Sequence, residues 1–174
     1  MLILIFQAIY FVLPAYLANM MPVFFAKLGW LKSLGQPINE PLFGTNKTWR
    51  GIISAIFGGI IISGIQALLL NFVFFINLSI YSYHNWLIFG FLAGLGAILG
   101  DLFKSFLKRK KGIKSGGSWP VFDQLDFIVG FFIFTYWLAR PDWQIIVTAI
   151  ILTLILHPLT NIIGYALGIK KVWW

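Results

Sequence analysis

Three of the chain's five carboxylates, Asp101, Asp123 and Asp126, fall within 26 residues that also hold six of its thirteen cationic side chains. The rest of the 174-residue chain is mostly apolar: 60% of it is hydrophobic and only 10% charged. Asp101, Lys104, Ser105 and Lys108 stand at i, i+3, i+4 and i+7, which places them on one stripe of a helix. Asp123 and Asp126, three apart, share a face at the start of the next helical segment. A carboxylate at the edge of hydrocarbon costs about 2–3 kcal/mol or more unless it is paired or near water. Two chemistries relieve that cost. Carboxylates hold Mg²⁺ together with phosphate oxygens while neighbouring bases hold the phosphates, or the same groups form an ion-pair network that only locks helices together. For Lys108 to Lys111 a further reading is a topology anchor drawn to anionic lipid head groups.

A second polar motif, Gly44-Thr45-Asn46-Lys47-Thr48-Trp49-Arg50-Gly51, lies upstream. It lacks the GxxxxGK[ST] spacing of a Walker loop. Lys47 and Arg50 are three apart at an expected helix start, where free N–H groups and the positive dipole end favour an anion. A plain basic helix start reads equally well from these residues alone. Between the acids, the twelve residues 109–120 contain Gly112, Gly116 and Gly117, a loop able to fold over a ligand with backbone N–H groups free to donate.

The elements that must position these groups are membrane spans. A mean hydropathy of +0.89 excludes an ordinary soluble globule. Residues 1–26, 51–100 and 143–169 carry no Asp, Glu, Lys or Arg. One span needs roughly 20 apolar residues, so the first and last runs each supply one. The middle run supplies two, with a tight connection near residues 77–85. A further span over about residues 119–139 must carry Asp123 and Asp126 in its first turns. The expected fold is therefore all-α and integral to the membrane: a single domain over 1–174 with five transmembrane helices and cytoplasmic loops forming a polar site.

Orientation follows from the cations. Lys27, Lys32, Lys47 and Arg50 fall in the first loop, Lys104 to Lys114 at the third, and Lys170 and Lys171 in the tail, leaving Arg140 on the other side. This predicts an outside N-terminus, an inside C-terminus, and a cell-membrane protein whose polar site faces the cytoplasm. The net charge of +8, which in a soluble protein would point to nucleic acid, is explained by basic cytoplasmic loops, so no nucleic-acid partner is expected. The absence of cysteine excludes a disulfide framework, a zinc thiolate site and a cysteine nucleophile. The first span is too long, and its start too uncharged, for a cleaved signal peptide. Gly90, Gly94, Gly96 and Gly100 give two GxxxG spacings, for close packing within the bundle or for a homodimer seam. Trp30, Trp49, Trp119, Trp143, Trp173 and Trp174 fall near the expected interfaces. His157 and Asn161 are an i, i+4 pair inside the last span, read as an interhelical hydrogen bond or as a substrate contact.

One reaction fits acids for Mg²⁺ beside bases at a membrane surface. A lipid phosphate monoester, already an anionic nucleophile, attacks the α-phosphorus of a nucleoside triphosphate and pyrophosphate leaves. Catalysis is then positioning and charge neutralisation.

Ser105-Phe106-Leu107-Lys108-Arg109, Ile113-Lys114, Pro120 and Asp123-Gln124-Leu125-Asp126 resemble the signature of the membrane cytidylyltransferases that form CDP-alcohols, phosphatidate cytidylyltransferase among them. Ser115 and Gln124 stand where the phosphatidate enzymes have Asp and Arg, and the His-Gly-Gly between the proline and the final Asp pair is missing. These departures, the short five-span chain and the FGTNKTWRG and DQLDF segments are closer to the CDP-archaeol synthase family. That resemblance implies CTP and a lipid phosphate as substrates, most closely 2,3-di-O-geranylgeranylglyceryl phosphate, with Mg²⁺ as cofactor. It implies Asp123 and Asp126 as metal ligands with Asp101 contributing, and Lys104, Ser105, Lys108, Arg109 and Lys114 addressing the triphosphate. Lys47 and Arg50, with Asn46 in the same motif, would hold a phosphate of CTP or of the lipid. Asp123, Asp126, Lys104 and Lys108 form the expected catalytic group. Phosphatidate as the lipid is the alternative substrate, and a small transporter or scaffold the alternative of another class.

Overall fold

The computed structural model describes residues 1–168 and contains seven α-helices: α1 (Leu2–Leu28), α2 (Glu40–Phe43), α3 (Trp49–Leu69), α4 (Val73–Leu78), α5 (Trp86–Lys110), α6 (Phe122–Ala139) and α7 (Trp143–Ala166). Five of them, α1, α3, α5, α6 and α7, are long and apolar enough to cross a membrane. Lys170, Lys171, Trp173 and Trp174, expected in a cytoplasmic tail and its interface belt, lie outside the described residues.

The end of α1 and the start of α3 each have a local cause. At the end of α1, Gly29 adopts φ +67°, and the N–H groups of Trp30 and Gly29 donate to the carbonyls of Phe25 and Ala26. This is a Schellman closure, which needs a residue tolerant of the left-handed region. Its apolar seal is the contact between the Phe25 and Trp30 rings, 5.2 Å between centroids. At the start of α3, Thr48 accepts a hydrogen bond from the Gly51 N–H at 3.2 Å and satisfies one free donor.

Small residues set the packing. A Cβ on Gly59 would clash with the Gly90 carbonyl, and one on Gly94 would stand 2.6 Å from the Ala55 carbonyl, so α3 and α5 meet backbone to backbone. Gly96 and Gly100 do the same against Asp126 and Gly130 of α6. Both GxxxG spacings are thus used inside the bundle. α1 packs against α3, α5, α6 and α7, and its Phe11 ring lies 5.3 Å from Phe131 and 5.7 Å from Phe89. Some polar side chains at membrane depth link helices: Gln66 donates to the Tyr10 carbonyl, and Tyr16 and Thr153 share a 2.8 Å hydrogen bond between α1 and α7.

Two boundaries differ from the sequence expectation. The connection between the second and third spans is longer than a tight turn and includes α4, an apolar helical turn whose Phe75 ring packs 5.9 Å from that of Tyr10. The fourth span begins at Phe122 rather than near Trp119. Val121 sits at φ +69°, a region a β-branched residue rarely adopts, and this breaks the helix at that point.

Candidate functional site

The short third connection, 111–121, brings the end of α5 beside the start of α6, while the first loop carries Lys47 to the same end of the bundle. There the three acids converge. Lys104 Nζ lies 2.9 Å from Asp101 Oδ1, 3.1 Å from Asp123 Oδ1 and 2.7 Å from Asp126 Oδ2. Lys108 Nζ is 2.5 Å from Asp123 Oδ1 and donates to the Gly117 carbonyl at 2.7 Å. Lys47, from the first loop, pairs with Asp101. The two helical stripes read from the sequence are therefore one charged surface.

Local structure fixes the acids. Asp123 Oδ2 accepts from the Trp119 N–H at 2.6 Å, so the carboxylate braces the strained turn at Val121 as well as facing the lysines. Asp126 Oδ1 accepts from the Phe127 N–H, and its side chain is only 4% exposed. The contact of Gly100 on the Asp126 carbonyl lets α5 and α6 approach closely enough for Lys104 to span both.

This surface lines a pocket of about 1050 Å³. Of the candidate residues, Asn46, Lys47, Arg50, Asp101, Lys104, Ser105, Lys108, Arg109, Asp123 and Asp126 all face it. Lys114 is exposed in the third loop and is not among the residues that line the pocket. Lys47 precedes the helix start instead of belonging to it, and it reaches Asp101. Thr48 takes the Gly51 N–H that the sequence reading left free for an anion. Arg50 is in the first turn of α3, as expected.

The ion-pair network left open by the sequence is present, but it lies in the wall of a pocket with room for a large polar ligand. No group of three His, Cys, Asp or Glu side chains among the described residues is arranged to hold a metal on its own. The donor chemistry nevertheless fits Mg²⁺. Three hard carboxylates from two adjacent helices reach one cation, the Lys104 ammonium, within 3.1 Å, and Mg²⁺ commonly takes one or two carboxylates with phosphate and water oxygens completing its shell.

Several lining residues were not anticipated. Lys27 and Asn19 of α1 face the pocket, as do Thr45 and Ser115, while Gly116 and Gly117 line it from the loop expected to fold over a ligand. Thr45 and Ser115 share a 3.2 Å hydrogen bond that ties the first loop to the third. Lys27 was read only as a loop cation, although its spacing of eight from Asn19 puts both on one helix face. His157 and Asn161 line the pocket from α7, with Asn161 Nδ2 3.5 Å from His157 Nδ1. This gives the α7 pair a place beside a ligand.

A family model described as CarS-like, CDP-archaeol synthase, matches residues 1–174. CDP-archaeol synthase of Methanosarcina barkeri is 40% identical over 182 residues, covering 93% of this chain and 99% of that protein. CDP-archaeol synthase of Methanocaldococcus jannaschii is 37% identical over 174 residues, covering 98% of each. A solved structure of an intramembrane enzyme for archaeal membrane lipid biosynthesis superposes with a TM-score of 0.70 at 27% identity, over 89% of this chain and 92% of that one.

Proposed function

The chain belongs to the CDP-archaeol synthase family, and on that premise we propose that its pocket joins CTP to an isoprenoid ether-lipid phosphate to give CDP-archaeol and pyrophosphate. The enzyme is a multi-pass membrane cytidylyltransferase. One observation carries the site assignment: three acids and six bases from α1, α3, α5, α6 and the first loop line a single pocket at one end of the spans.

The lipid phosphate is a monoester whose oxygen is already anionic, so no side chain has to activate it. That oxygen forms a bond to the α-phosphorus of CTP, the bond from the α-phosphorus to the bridging oxygen breaks, and pyrophosphate leaves with the electron pair. The obstacle is the repulsion between two multiply charged anions, and the residues act on that. Lys108, held by Asp123 and the Gly117 carbonyl, presents its ammonium beside the third loop. Arg109, with Ser115 next to it, faces the same space. These groups, with Ser105, Asn46 and Lys47, hold and neutralise the triphosphate. Asp123, Asp126 and Asp101 would hold Mg²⁺, which supplies further neutralisation of the phosphate oxygens. Lys104 ties the three acids together across α5 and α6.

The pocket faces the cytoplasm in this account. Its end of the bundle carries Lys27, Lys32, Lys47, Arg50 and the cations from Lys104 to Lys114, against Arg140 at the other. That bias supports an outside N-terminus and an inside C-terminus in the cell membrane. CTP then enters from the aqueous side and the lipid from the bilayer.

The test is product formation by purified protein supplied with CTP, ATP, GTP or UTP and with either geranylgeranylglyceryl phosphate or phosphatidate. The proposal expects a CDP-lipid from CTP, with the ether lipid preferred. A strong preference for phosphatidate would overturn the lipid assignment, and efficient use of ATP would overturn the nucleotide assignment.

A further inference from the structure

Six cationic side chains line the pocket, Lys27, Lys47, Arg50, Lys104, Lys108 and Arg109, against three carboxylates. The carboxylates account for three of the six: Lys47 on Asp101, Lys108 on Asp123, and Lys104 on all three. Lys27, Arg50 and Arg109 have no carboxylate within ion-pair distance among the described residues. Cations left uncompensated in a concave wall are the groups with charge to offer an incoming anion.

Their positions divide them. Arg109 ends α5 beside the third loop: a Cβ on Gly44 would stand 3.0 Å from its Nη1 and 2.9 Å from Ser115 Oγ. Its Nε is buried with no hydrogen-bond partner. Arg50 and Lys27 belong to α3 and α1, where a Cβ on Gly51 would stand 3.7 Å from Pro22. On α1 the lining residues are Asn19, Pro22, Val23, Ala26 and Lys27, at i, i+3, i+4, i+7 and i+8, a single helix face. The middle of that face is apolar and one end carries the ammonium. Val23 lines the pocket and is 40% exposed, so this face of a helix long and apolar enough to cross a membrane offers open apolar surface that leads to the ammonium. A lysine in the last turn of a helix suits the dipole, but that alone would not turn it towards the pocket.

We infer that Lys27, together with Arg50, forms the subsite for the phosphate monoester of the lipid substrate, with Pro22, Val23 and Ala26 guiding its chains in from the bilayer, and that Arg109 serves the nucleotide. This rests on the cytidylyl-transfer reading above. A dianionic monoester is matched by a flexible ammonium and a planar guanidinium lining the same pocket, and an amphiphile needs an apolar path that ends at those charges.

The experiment measures binding of a radiolabelled dialkylglycerol phosphate and, separately, of CTP with Mg²⁺ to full-length protein in neutral detergent, for wild type, Lys27→Gln, Lys27→Arg and Lys32→Gln. Lys32 is an exposed loop lysine outside the pocket. Lys27→Gln should weaken lipid-phosphate binding about tenfold, the usual scale for one charge-assisted contact, and raise the lipid KM by a similar factor. CTP affinity should stay within about twofold, Lys27→Arg should restore most of the loss, and Lys32→Gln should match wild type. Unchanged lipid binding in Lys27→Gln, an equal loss for CTP, or an equal loss in Lys32→Gln would each overturn the inference. A wild type that bound both ligands yet transferred nothing would refute the reaction, and the binding comparison would still decide the role of Lys27.

Discussion

Lys104→Met removes the ammonium that three carboxylates share while keeping most of its apolar stem. Asp101 retains Lys47 and Asp123 retains Lys108, but Asp126 loses its only ion-pair partner among the described residues while its side chain is 4% exposed. Removing one partner of a buried pair costs about 3–5 kcal/mol. At roughly 2–4 °C per kcal/mol for a chain of this size, Tm should fall by ~6–20 °C in EDTA. If these acids also hold Mg²⁺, the variant should regain stability as the ion is added. Occupancy at 100 times Kd contributes about 2.7 kcal/mol, or ~5–10 °C on the same scale. Wild type should gain less, because the ammonium already occupies the point where the carboxylates converge. Thermal unfolding in detergent, followed by tryptophan fluorescence across a Mg²⁺ titration, measures both effects. A variant as stable as wild type in EDTA would refute the energetic reading of the network. A Mg²⁺ shift no larger than that of wild type would refute the assignment of the ion to these acids.

Other expectations follow from the same geometry. Asp123→Asn or Asp126→Asn should lower kcat by about 100-fold or more, the scale of removing a group that acts on developing charge, while the protein still inserts and elutes as one species; full activity at ordinary Mg²⁺ would remove the metal assignment. Lys108→Ala should cut kcat/KM for CTP about tenfold or more, whereas Lys114→Ala, outside the pocket, should change it less than about threefold; steady-state kinetics on the pair decides this. Gly130→Ala sets a methyl against the Gly96 carbonyl backbone and should destabilise by about 1–3 kcal/mol. Gly64→Ala meets only the Trp86 ring, at 3.1 Å, and should cost less, a difference readable in Tm.

Much of this molecule was legible because lipid imposes strong rules. Long uncharged runs identified five spans, and an i, i+3 spacing put Asp101 with Lys104 and Asp123 with Asp126 on shared faces. An ion-pair network joining the two faces was one of the readings the sequence left open, but its convergence on Lys104 depends on how closely α5 and α6 approach, which Gly96, Gly100 and Gly130 set together. Lys114, assigned to the triphosphate by family resemblance, is exposed beside the pocket-lining Ser115 and Gly116, because a motif fixes a position in the chain while the loop's turns decide which side chains face inward. Lys27 was missed for the opposite reason: a cation just beyond a span reads first as a topology signal, and only α1's packing against α3 turns its face to the pocket. The start of α6 was set too early because nothing in Pro120-Val121 announces a left-handed valine, a strained conformation that Asp123 braces through the Trp119 N–H.

The most direct measurement follows the label from CTP carrying ³²P at either the α or the γ position, incubated with purified protein, Mg²⁺ and geranylgeranylglyceryl phosphate. Attack at the α-phosphorus predicts α-label in the lipid product and γ-label in pyrophosphate. Appearance of γ-label in the lipid, or pyrophosphate released without any labelled lipid, would contradict the account.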